Sequence, residues 1–283
     1  MSEVPDVTEE ELRKVSEFLY RRTGMLFTET KRYYVQRRIS DRMTFLKIGS
    51  FGTYFGYLRG DVDGEIEKFI NAFTVNETYF YREEHQLRCL STDLLNERVR
   101  AKKPGETLRV WSVPCATGEE PYSIAMWLLE NWPEVDVQDI EILGSDIDTE
   151  CLVAARQGEF GQRALMRLSP ALIEKYFETV GPDRWRIVSD LRQSVQFSPV
   201  NLMQAAQTRQ HGKFDVIFCR NVLIYFDDAS RRLAAENLFE SLEPGGFICL
   251  GHTESMSRIS PLFEVRRFAD AIVYQRPTGG RHG

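Results

Sequence analysis

The stretch Pro114–Tyr122, PCATGEEPY, lies between a strand-like apolar run, LRVWSV at 108–113, and a helical pattern, SIAMWLLE at 123–130. A strand, a glycine-bearing turn and a helix is the arrangement in which an α/β fold holds a nucleotide. Here the turn carries two adjacent acids, Glu119 and Glu120, which would repel a phosphate group. The stretch therefore predicts an α/β fold whose turn binds something other than phosphate, or two acids that only complement the helix dipole.

Downstream of residue 100, short apolar runs alternate with helical patterns. The strand-like runs are LRVWSV, IEILGSDI, FDVIFCRNVLIYF and GGFICLGH. Such alternation is typical of buried parallel strands joined by crossover helices. The last pattern, LFEVRRFADAIVYQR at 262–276, has two strand-like runs with no helix between them, so it predicts an antiparallel hairpin that finishes the sheet.

One connection is too long for a simple crossover. More than forty residues separate Asp148 from the strand-like SVQFSPV, whereas a helix and two loops need roughly a dozen or two. The runs DRWRIVSD and LRQSVQF follow a turn signal at Gly181–Pro182–Asp183. They predict a small antiparallel sheet inserted at about residues 158–197.

The N-terminal part of the chain has helical patterns only. The first begins with a capping box, Thr8 and Glu11, and stops at Gly24. The second covers residues 31–49, and two more follow as SFGTYFGYLRG and EIEKFINAFT. We therefore expect a helical domain at 1–74 and an α/β domain at 75–283.

The second helical pattern is strongly basic. Residues 31–47 hold six cations and one acid, a local charge of +5 in a chain whose net charge is −6. Three of the cations, Lys31, Arg38 and Arg42, fall on one stripe beside an apolar face. The stripe predicts a contact with an anionic partner; the alternative is a solvated basic face with no partner.

The composition is that of a soluble globular protein, with 42% hydrophobic and 28% charged residues in 283. No apolar run approaches 18 residues and the acidic N-terminus is unlike a signal peptide, so we expect a cytoplasmic protein without membrane insertion. Five cysteines without a C-x-x-C pair and four scattered histidines make a disulfide framework or a metal site unexpected. The acidic net charge argues against a nucleic-acid partner.

A set of mostly polar residues follows the predicted strands, whose carboxyl ends should meet at one edge of the sheet. They are Gly118, Glu119, Asp146, Asp148, Asn201, Leu202, Cys219, Arg220, Asn221 and Tyr225. Asp146 ends the second strand, where an acid can accept hydrogen bonds from ribose hydroxyls. Because the chain lacks a phosphate-binding G-x-G-x-x-G turn, we expect a nucleoside without phosphates, such as S-adenosylmethionine, whose sulfonium and ammonium groups suit an acidic turn.

Five motifs carry a resemblance to a known family. They are NETYFYRE (76–83), ATGEEPYSIA (116–125), GSDID (144–148), FDVIFCRNVLIYF (214–226) and EPGGFICLGHTES (243–255). In this order and spacing the chain resembles the chemotaxis receptor glutamate O-methyltransferases, the CheR family, over nearly its whole length. The resemblance implies a doubly wound, mostly parallel methyltransferase sheet with an antiparallel last strand, a small all-helical N-terminal domain and an inserted β-subdomain.

The resemblance also implies a cofactor, S-adenosylmethionine, and the residues around it. These are Asn76, Thr78, Arg82, Glu119, Asp146, Asn201, Leu202, Arg220 and Asn221. The implied reaction is attack by a glutamate carboxylate of a receptor on the sulfonium methyl group, yielding a methyl ester and S-adenosylhomocysteine. Because a free glutamate has a pKa of about 4.3, its carboxylate is already ionised at neutral pH and needs no strong base.

Catalytic and partner roles follow from the same resemblance. Arg82 would orient the incoming carboxylate or hold the cofactor carboxylate, and Tyr225 would hydrogen-bond near the methyl donor. Lys31, Arg38 and Arg42 would hold the acidic, helical cytoplasmic region of the receptor. We expect the protein to act as a monomer.

Two other functions stay open on sequence alone: a methyltransferase with another acceptor, and a non-catalytic receptor-binding adaptor. Single residues also have structural explanations. Tyr79, Phe80 and Tyr81 would pack in the core or in a lid, Arg220 would be a buried ion-pair partner, and His252 is as readily structural as functional.

The inserted subdomain bears on how receptors are held. In some members of the resembling family it binds a C-terminal receptor peptide as an added strand. Here the turn in ETVGPDRWRIV is compact, and Trp185, Arg184 and Arg186 are bulky or charged. We expect an edge that accepts a strand poorly, and methylation that needs no peptide tether.

Overall fold

A computed structural model describes residues 7–279 of the chain, Glu29 by its backbone alone. The first six residues, part of the stretch used to argue against a signal peptide, lie outside the described residues, as do residues 280–283. Tertiary contacts divide the chain into two units: the N-terminal residues up to Val75 with Tyr225–Ser230, and Asn76–Ile224 with the residues from Arg231 onward. Over the described range, no helix is both long enough and apolar enough to span a membrane.

Four α-helices form the first unit where the four helical patterns predict them. They are α1 (Glu9–Thr23), α2 (Arg32–Leu46), α3 (Phe51–Arg59) and α4 (Glu65–Phe73). The capping box is confirmed, because Thr8 and Glu11 satisfy each other's backbone N–H groups, and α1 ends at a left-handed Gly24. The second helix is shorter than predicted: it stops at Leu46, since Lys47 turns left-handed and Ile48 N–H bonds back to the Met43 carbonyl.

The core of this unit is aromatic. Phe69 and Phe73 are fully buried, and their ring centroids lie 4.7 Å apart. The predicted apolar side of α2 supplies buried Val35, Ile39 and Met43. The helical spacing of these residues therefore reports the buried face correctly.

A seven-stranded sheet forms the centre of the second unit. Its strands are β1 (Leu108–Ser112), β2 (Ile140–Asp146), β6 (Val195–Pro199), β7 (Phe214–Cys219), β8 (Leu242–Leu250), β9 (Glu264–Arg267) and β10 (Ile272–Gln275), in the spatial order β6-β2-β1-β7-β8-β10-β9. The first five in that order pair in parallel, whereas β10 runs antiparallel to both of its neighbours. The mostly parallel sheet with a C-terminal antiparallel hairpin is confirmed.

Helices precede β1 and lie in the connections between the strands. They are α5 (Glu84–Cys89), α6 (Leu95–Ala101), α7 (Glu119–Asn131), α8 (Thr149–Gln157), α9 (Gln162–Leu165), α10 (Pro170–Tyr176), α11 (Ser189–Gln193), α12 (Ala205–Arg209) and α13 (Asp228–Glu240). A π-helical turn, Leu90–Leu94, joins α5 and α6 into one run. β7 is buried at every residue, and β1 is buried at every residue except half-buried Arg109, as expected for strands covered on both faces.

The long connection contains a second, three-stranded sheet. Its strands are β3 (Glu159–Gly161), β4 (Phe177–Gly181) and β5 (Arg184–Ile187), in the order β3-β5-β4, all antiparallel. An inserted small sheet is therefore present. The pairing predicted for LRQSVQF is wrong, because its first half lies in α11 and its second half enters the main sheet as β6 beside β2.

The central place of β5 corrects a second expectation. Trp185, Arg184 and Arg186 lie on this middle strand and pair with β3 and β4 on either side. They therefore do not block an edge of the inserted sheet. The two edges are β3 and β4.

Candidate cofactor and active site

The strand order reverses beside β1, which has β2 on one side and β7 on the other. Backbone hydrogen bonds past the strand ends hold the following loops together: Val113 N–H donates to the Phe218 carbonyl, Cys115 N–H to that of Ser145, and Val200 N–H to that of Asp146. The residues after β1, β2, β6 and β7 therefore gather at one edge, where open α/β sheets bind ligands.

The acidic turn is shaped by Gly118, which precedes α7. Its φ of 96° is in the region that favours glycine, and a Cβ there would lie 3.0 Å from the Cβ of Ala155. The glycine thus lets α7 begin close to α8, with Glu119 and Glu120 in its first turn.

Asp146 ends β2 and is almost completely buried. Its Oδ2 accepts from Ala116 N–H at 2.8 Å, and its Oδ1 accepts from Asp148 N–H at 2.9 Å. Burial raises the pKa of Asp146 to about 6, although the backbone hydrogen bonds oppose the shift. Each carboxylate oxygen has a second lone pair, so both can also accept from hydroxyl groups.

Glu119 is the second buried acid. Its carboxylate accepts from Thr117 Oγ1 at 2.7 Å, and burial raises its pKa above the ordinary value. Among residues 7–279, neither Glu119 nor Asp146 has a cationic ion-pair partner. Two buried carboxylates without a cation form an environment that favours a positively charged ligand.

Glu120 has a different environment from its neighbour. Its carboxylate accepts from Ser112 Oγ at 2.8 Å and from Arg220 Nη1 at 2.7 Å. Arg220 Nη2 also lies 3.2 Å from the carboxylate of Glu83 and donates to the Arg82 carbonyl at 2.9 Å. The structure therefore gives Arg220 the buried ion-pair position that was the alternative to direct cofactor binding.

The segment with the NETYFYRE motif lies against the same loops. Asn76 Nδ2 donates to Asp148 Oδ2 at 2.9 Å, and Arg82 Nη1 donates to the Glu77 carbonyl at 2.9 Å. The rings of Phe80 and Tyr81 are buried, as the packing interpretation requires. Thr78 is half-buried.

The loops after β6 and β7 hold the other expected contacts. Asn201 is buried, and its Oδ1 accepts from Met203 N–H at 2.9 Å, while Leu202 is held through its carbonyl by Asn237. Asn221 has a left-handed backbone, φ 60°, and its N–H donates to the Glu254 carboxylate at 2.8 Å.

Two acids of this region were missed from the sequence. Glu254 accepts backbone N–H groups of Asn221, Leu223 and Gly251 at 2.8–2.9 Å, so it holds the loop after β7 to the loop after β8; burial raises its pKa. Glu83 meets Arg220. Both acids stand inside motifs already singled out, GHTES and NETYFYRE, and this is the signal that could have found them.

The remaining predicted residues lie in the helical unit. Tyr225 belongs to it by its contacts, and its carbonyl accepts from Leu26 N–H at 2.9 Å. Lys31 is exposed, and Arg38 stacks on Tyr34 with 4.6 Å between guanidinium carbon and ring centroid. Arg42 is bound internally, because its guanidinium forms a two-point ion pair with the buried carboxylate of Glu65.

The residues present fit S-adenosylmethionine. Asp146 offers acceptors suited to a ribose, and the uncompensated charge of Asp146 and Glu119 suits a ligand with a sulfonium and an ammonium group. The same charge would repel a nucleotide phosphate. These acceptor oxygens and this negative charge therefore agree with the phosphate-free nucleoside that the acidic turn predicts.

Family models match almost the whole chain. The model described as "CheR methyltransferase, all-alpha domain" matches residues 10–74, and "CheR methyltransferase, SAM binding domain" matches residues 76–272. Among curated relatives, "Chemotaxis protein methyltransferase 2" of Vibrio cholerae is 46% identical, covering 97% of this chain and 96% of its own. "Chemotaxis protein methyltransferase 2" of Pseudomonas aeruginosa is 39% identical, covering 90% of each chain. "Chemotaxis protein methyltransferase" of Escherichia coli is 36% identical, covering 94% of this chain and 91% of its own.

These matches run through both units and include every motif that surrounds the acidic site. The cofactor is S-adenosylmethionine, in agreement with the buried acids after β1 and β2. On the strength of the site and of both domain matches, the chain belongs to the CheR methyltransferase family.

Proposed function

We propose that this protein transfers the methyl group of S-adenosylmethionine to glutamate side chains of chemotaxis receptors, in the cytoplasm and as a monomer. The observation that carries the proposal is the pair of buried, uncompensated carboxylates, Asp146 and Glu119, at the strand ends of a chain of this family. The names of the relatives supply the chemotaxis context. Asp146 would hold the ribose and Glu119 the cationic part of the cofactor.

Other loop residues complete the proposed cofactor site. They are Asn76, Thr78, Arg82, Asn201, Leu202 and Asn221. Arg220 acts indirectly in this proposal, because its guanidinium is bound to Glu83 and Glu120. Arg82 and Tyr225 remain the proposed catalytic residues.

The bound cofactor supplies an electrophilic methyl group on a sulfonium. In the methyl transfer, an oxygen lone pair of the receptor carboxylate forms the new O–CH₃ bond. The S–CH₃ bond breaks and its electron pair stays on sulfur. The products are a glutamyl methyl ester and S-adenosylhomocysteine. Because the acceptor is ionised at neutral pH, the protein has mainly to align it and to remove water.

Receptor contact is proposed for the helical domain, residues 1–74. Exposed Lys31, just before α2, and half-buried Arg38 on α2 offer positive charge to an acidic receptor helix. Arg42 supports this surface from within, since its charge is matched by Glu65.

We also propose that methylation needs no receptor C-terminal peptide. One observation supports this. The turn between β4 and β5 has only two residues, Pro182 and Asp183, because Gly181 already pairs with Arg184. We expect a subdomain that grips a peptide to have a longer, glycine-richer loop beside an open edge. Blocking by Trp185 no longer supports the proposal.

The test is transfer of labelled methyl from S-adenosylmethionine to purified cytoplasmic receptor fragments. Label that alkali releases as methanol indicates a methyl ester, whereas N-methyl groups resist this treatment. Label found only on a small molecule or nucleic acid would identify another methyltransferase. Binding of S-adenosylhomocysteine without transfer to any receptor would favour the adaptor function.

A further inference from the structure

One buried cluster ties three separate stretches of the chain together. The Arg220 guanidinium, after β7, meets Glu120 at the start of α7 and Glu83 at the end of the NETYFYRE segment. It also donates to the Arg82 carbonyl at 2.9 Å. The Arg220 side chain is only 4% exposed, so these contacts lie away from solvent.

The segment that this cluster holds has costly backbone conformations. Tyr81 and Glu83 both have positive φ, 57° and 56°, in the region that non-glycine residues rarely adopt. Such conformations persist only where surrounding contacts impose them, and they concentrate at functional sites. Phe80 N–H, bound to the Ala164 carbonyl, and Tyr81 N–H, bound to Ser123 Oγ, fix the first part of the segment.

The Arg82–Glu83 end is fixed by side-chain contacts of Glu83. Besides Arg220, its carboxylate accepts from Gln86 Nε2 at 2.9 Å and lies 3.1 Å from His252 Nδ1. His252 is 69% exposed, so its contact is open to solvent and contributes little. The buried pairing with Arg220 is therefore the main charge interaction at this end.

We propose that Glu83 and Glu120 are positioning residues that act through Arg220 to hold the segment Asn76–Glu83, and with it Arg82, in place at the cofactor site. The inference rests on the proposed function only for the role of Arg82 in methyl transfer. Removing Arg220 would leave two buried acids unpaired and threaten folding, whereas neutralising one acid leaves Arg220 with the other.

The test compares Glu83→Gln and Glu120→Gln with the control His252→Asn, which loses only the exposed contact to Glu83. Hydrogen exchange of residues 76–83 is measured without cofactor, together with the Kd of S-adenosylhomocysteine. We expect exchange in this segment to rise on the order of tenfold in both acid variants and to change less than about twofold in the control. Glu83→Gln should weaken S-adenosylhomocysteine binding by a similar factor.

The double variant separates positioning from general loosening. Both acids act through one guanidinium, so their effects should be coupled. In the variant that carries both Glu83→Gln and Glu120→Gln, hydrogen exchange of residues 76–83 should rise by a factor that differs from the product of the two single-variant factors. Unchanged exchange in 76–83 with a lowered Tm would overturn the proposal. Neither readout uses a receptor, so failure of receptor methylation would contradict the proposed function and leave this result standing.

Discussion

Asp146, at the end of β2, is the proposed ribose ligand. Its carboxylate accepts the N–H groups of Ala116 and Asp148, which shapes the loop, and each oxygen keeps a lone pair that can accept a further hydrogen bond. Truncation to alanine would leave two buried N–H donors unpaired, and each would cost about 1–3 kcal/mol of folding free energy. The loss of stability would then be mixed with any loss of cofactor affinity. Asparagine keeps the size of the side chain and one acceptor oxygen.

Asp146→Asn should weaken S-adenosylhomocysteine binding by about 1.5–3 kcal/mol, the scale of a hydrogen bond to a charged group. Calorimetric titration measures the Kd, and circular dichroism checks that the variant is folded. The matched control is Asp139→Asn. It makes the same change at an exposed residue that directly precedes β2. Equal affinities in wild type and a folded Asp146→Asn variant would remove Asp146 from the ribose site.

The raised pKa of Asp146 predicts pH-dependent binding. With a pKa of about 6, its carboxylate is mostly ionised at pH 7.5 and mostly protonated at pH 5. If the ionised form binds the cofactor, the Kd of S-adenosylhomocysteine should be weaker by about tenfold at pH 5. The dependence should be smaller in Asp146→Asn, and an identical pH profile in both proteins would contradict the assignment.

The same pKa has the opposite consequence for stability without cofactor. The folded state holds the Asp146 proton more tightly than the unfolded state, because burial raises the pKa from its ordinary 3.8. The contribution of this group to the free energy of unfolding therefore falls as pH rises from about 4 to 6. As pH rises and this carboxylate ionises, cofactor binding should become stronger whereas the cofactor-free protein should become less stable.

At the scale of the element, α2 combines an internal ion pair with an outward positive face. Glu65 of α4 is buried, with 1% of its side chain exposed, and it accepts from both Arg42 and the Tyr54 hydroxyl. Arg37 on the same helix is well exposed and lies 3.9 Å from Asp41. The cations of one helix therefore have different tasks, which helical spacing alone does not separate.

Arg42→Ala should lower the free energy of unfolding of the helical unit by about 3–5 kcal/mol, because it leaves the Glu65 carboxylate buried without its cation. Arg37→Ala is the control and should change it by less than about 1 kcal/mol. Denaturant unfolding followed by circular dichroism measures both. Equal stability of the two variants would show that the Arg42–Glu65 pair contributes nothing to the fold.

The outward face is tested with Lys31→Glu and Arg38→Glu together. Reversing these charges should raise KM for a receptor fragment with little change in kcat, and should flatten the dependence of KM on salt. Arg13→Glu, an exposed position on α1, controls for general charge effects. If wild-type methylation is indifferent to ionic strength, the basic face is a solvated one.

For the molecule as a whole, the inserted sheet bears on the proposal that methylation needs no receptor C-terminal peptide. Its edges are β3 and β4, and the turn that ends β4 has two residues. A short hairpin turn leaves little backbone beside the edge to clasp a peptide. We therefore keep the expectation that receptors are bound without a C-terminal tether.

Removing the last residues of a receptor should change its methylation rate by less than about twofold, and the isolated tail peptide should not bind measurably. Methylation assays on paired full-length and truncated receptors give the first result, and calorimetry with the peptide gives the second. Micromolar peptide binding with a large loss of methylation on truncation would refute tether independence. The docking site would then be an edge of the inserted sheet, at β3 or β4.

The parallel sheet with its final hairpin, the helical N-terminal region and the acidic turn were all predictable from the sequence. These follow from signals read over a few residues: apolar periodicity, caps and turn residues. The capping box at Thr8 and the buried face of α2 are confirmed for this reason.

The partner that each buried charge meets depends on how distant parts of the chain pack together. Arg42 pairs with Glu65, 23 residues away, and Arg220 pairs with Glu120, 100 residues away. Likewise β5 became a central strand and the second half of LRQSVQF joined the main sheet. Local periodicity indicates that a residue is buried. Which group neutralises a buried charge depends instead on how distant strands and helices pack against each other.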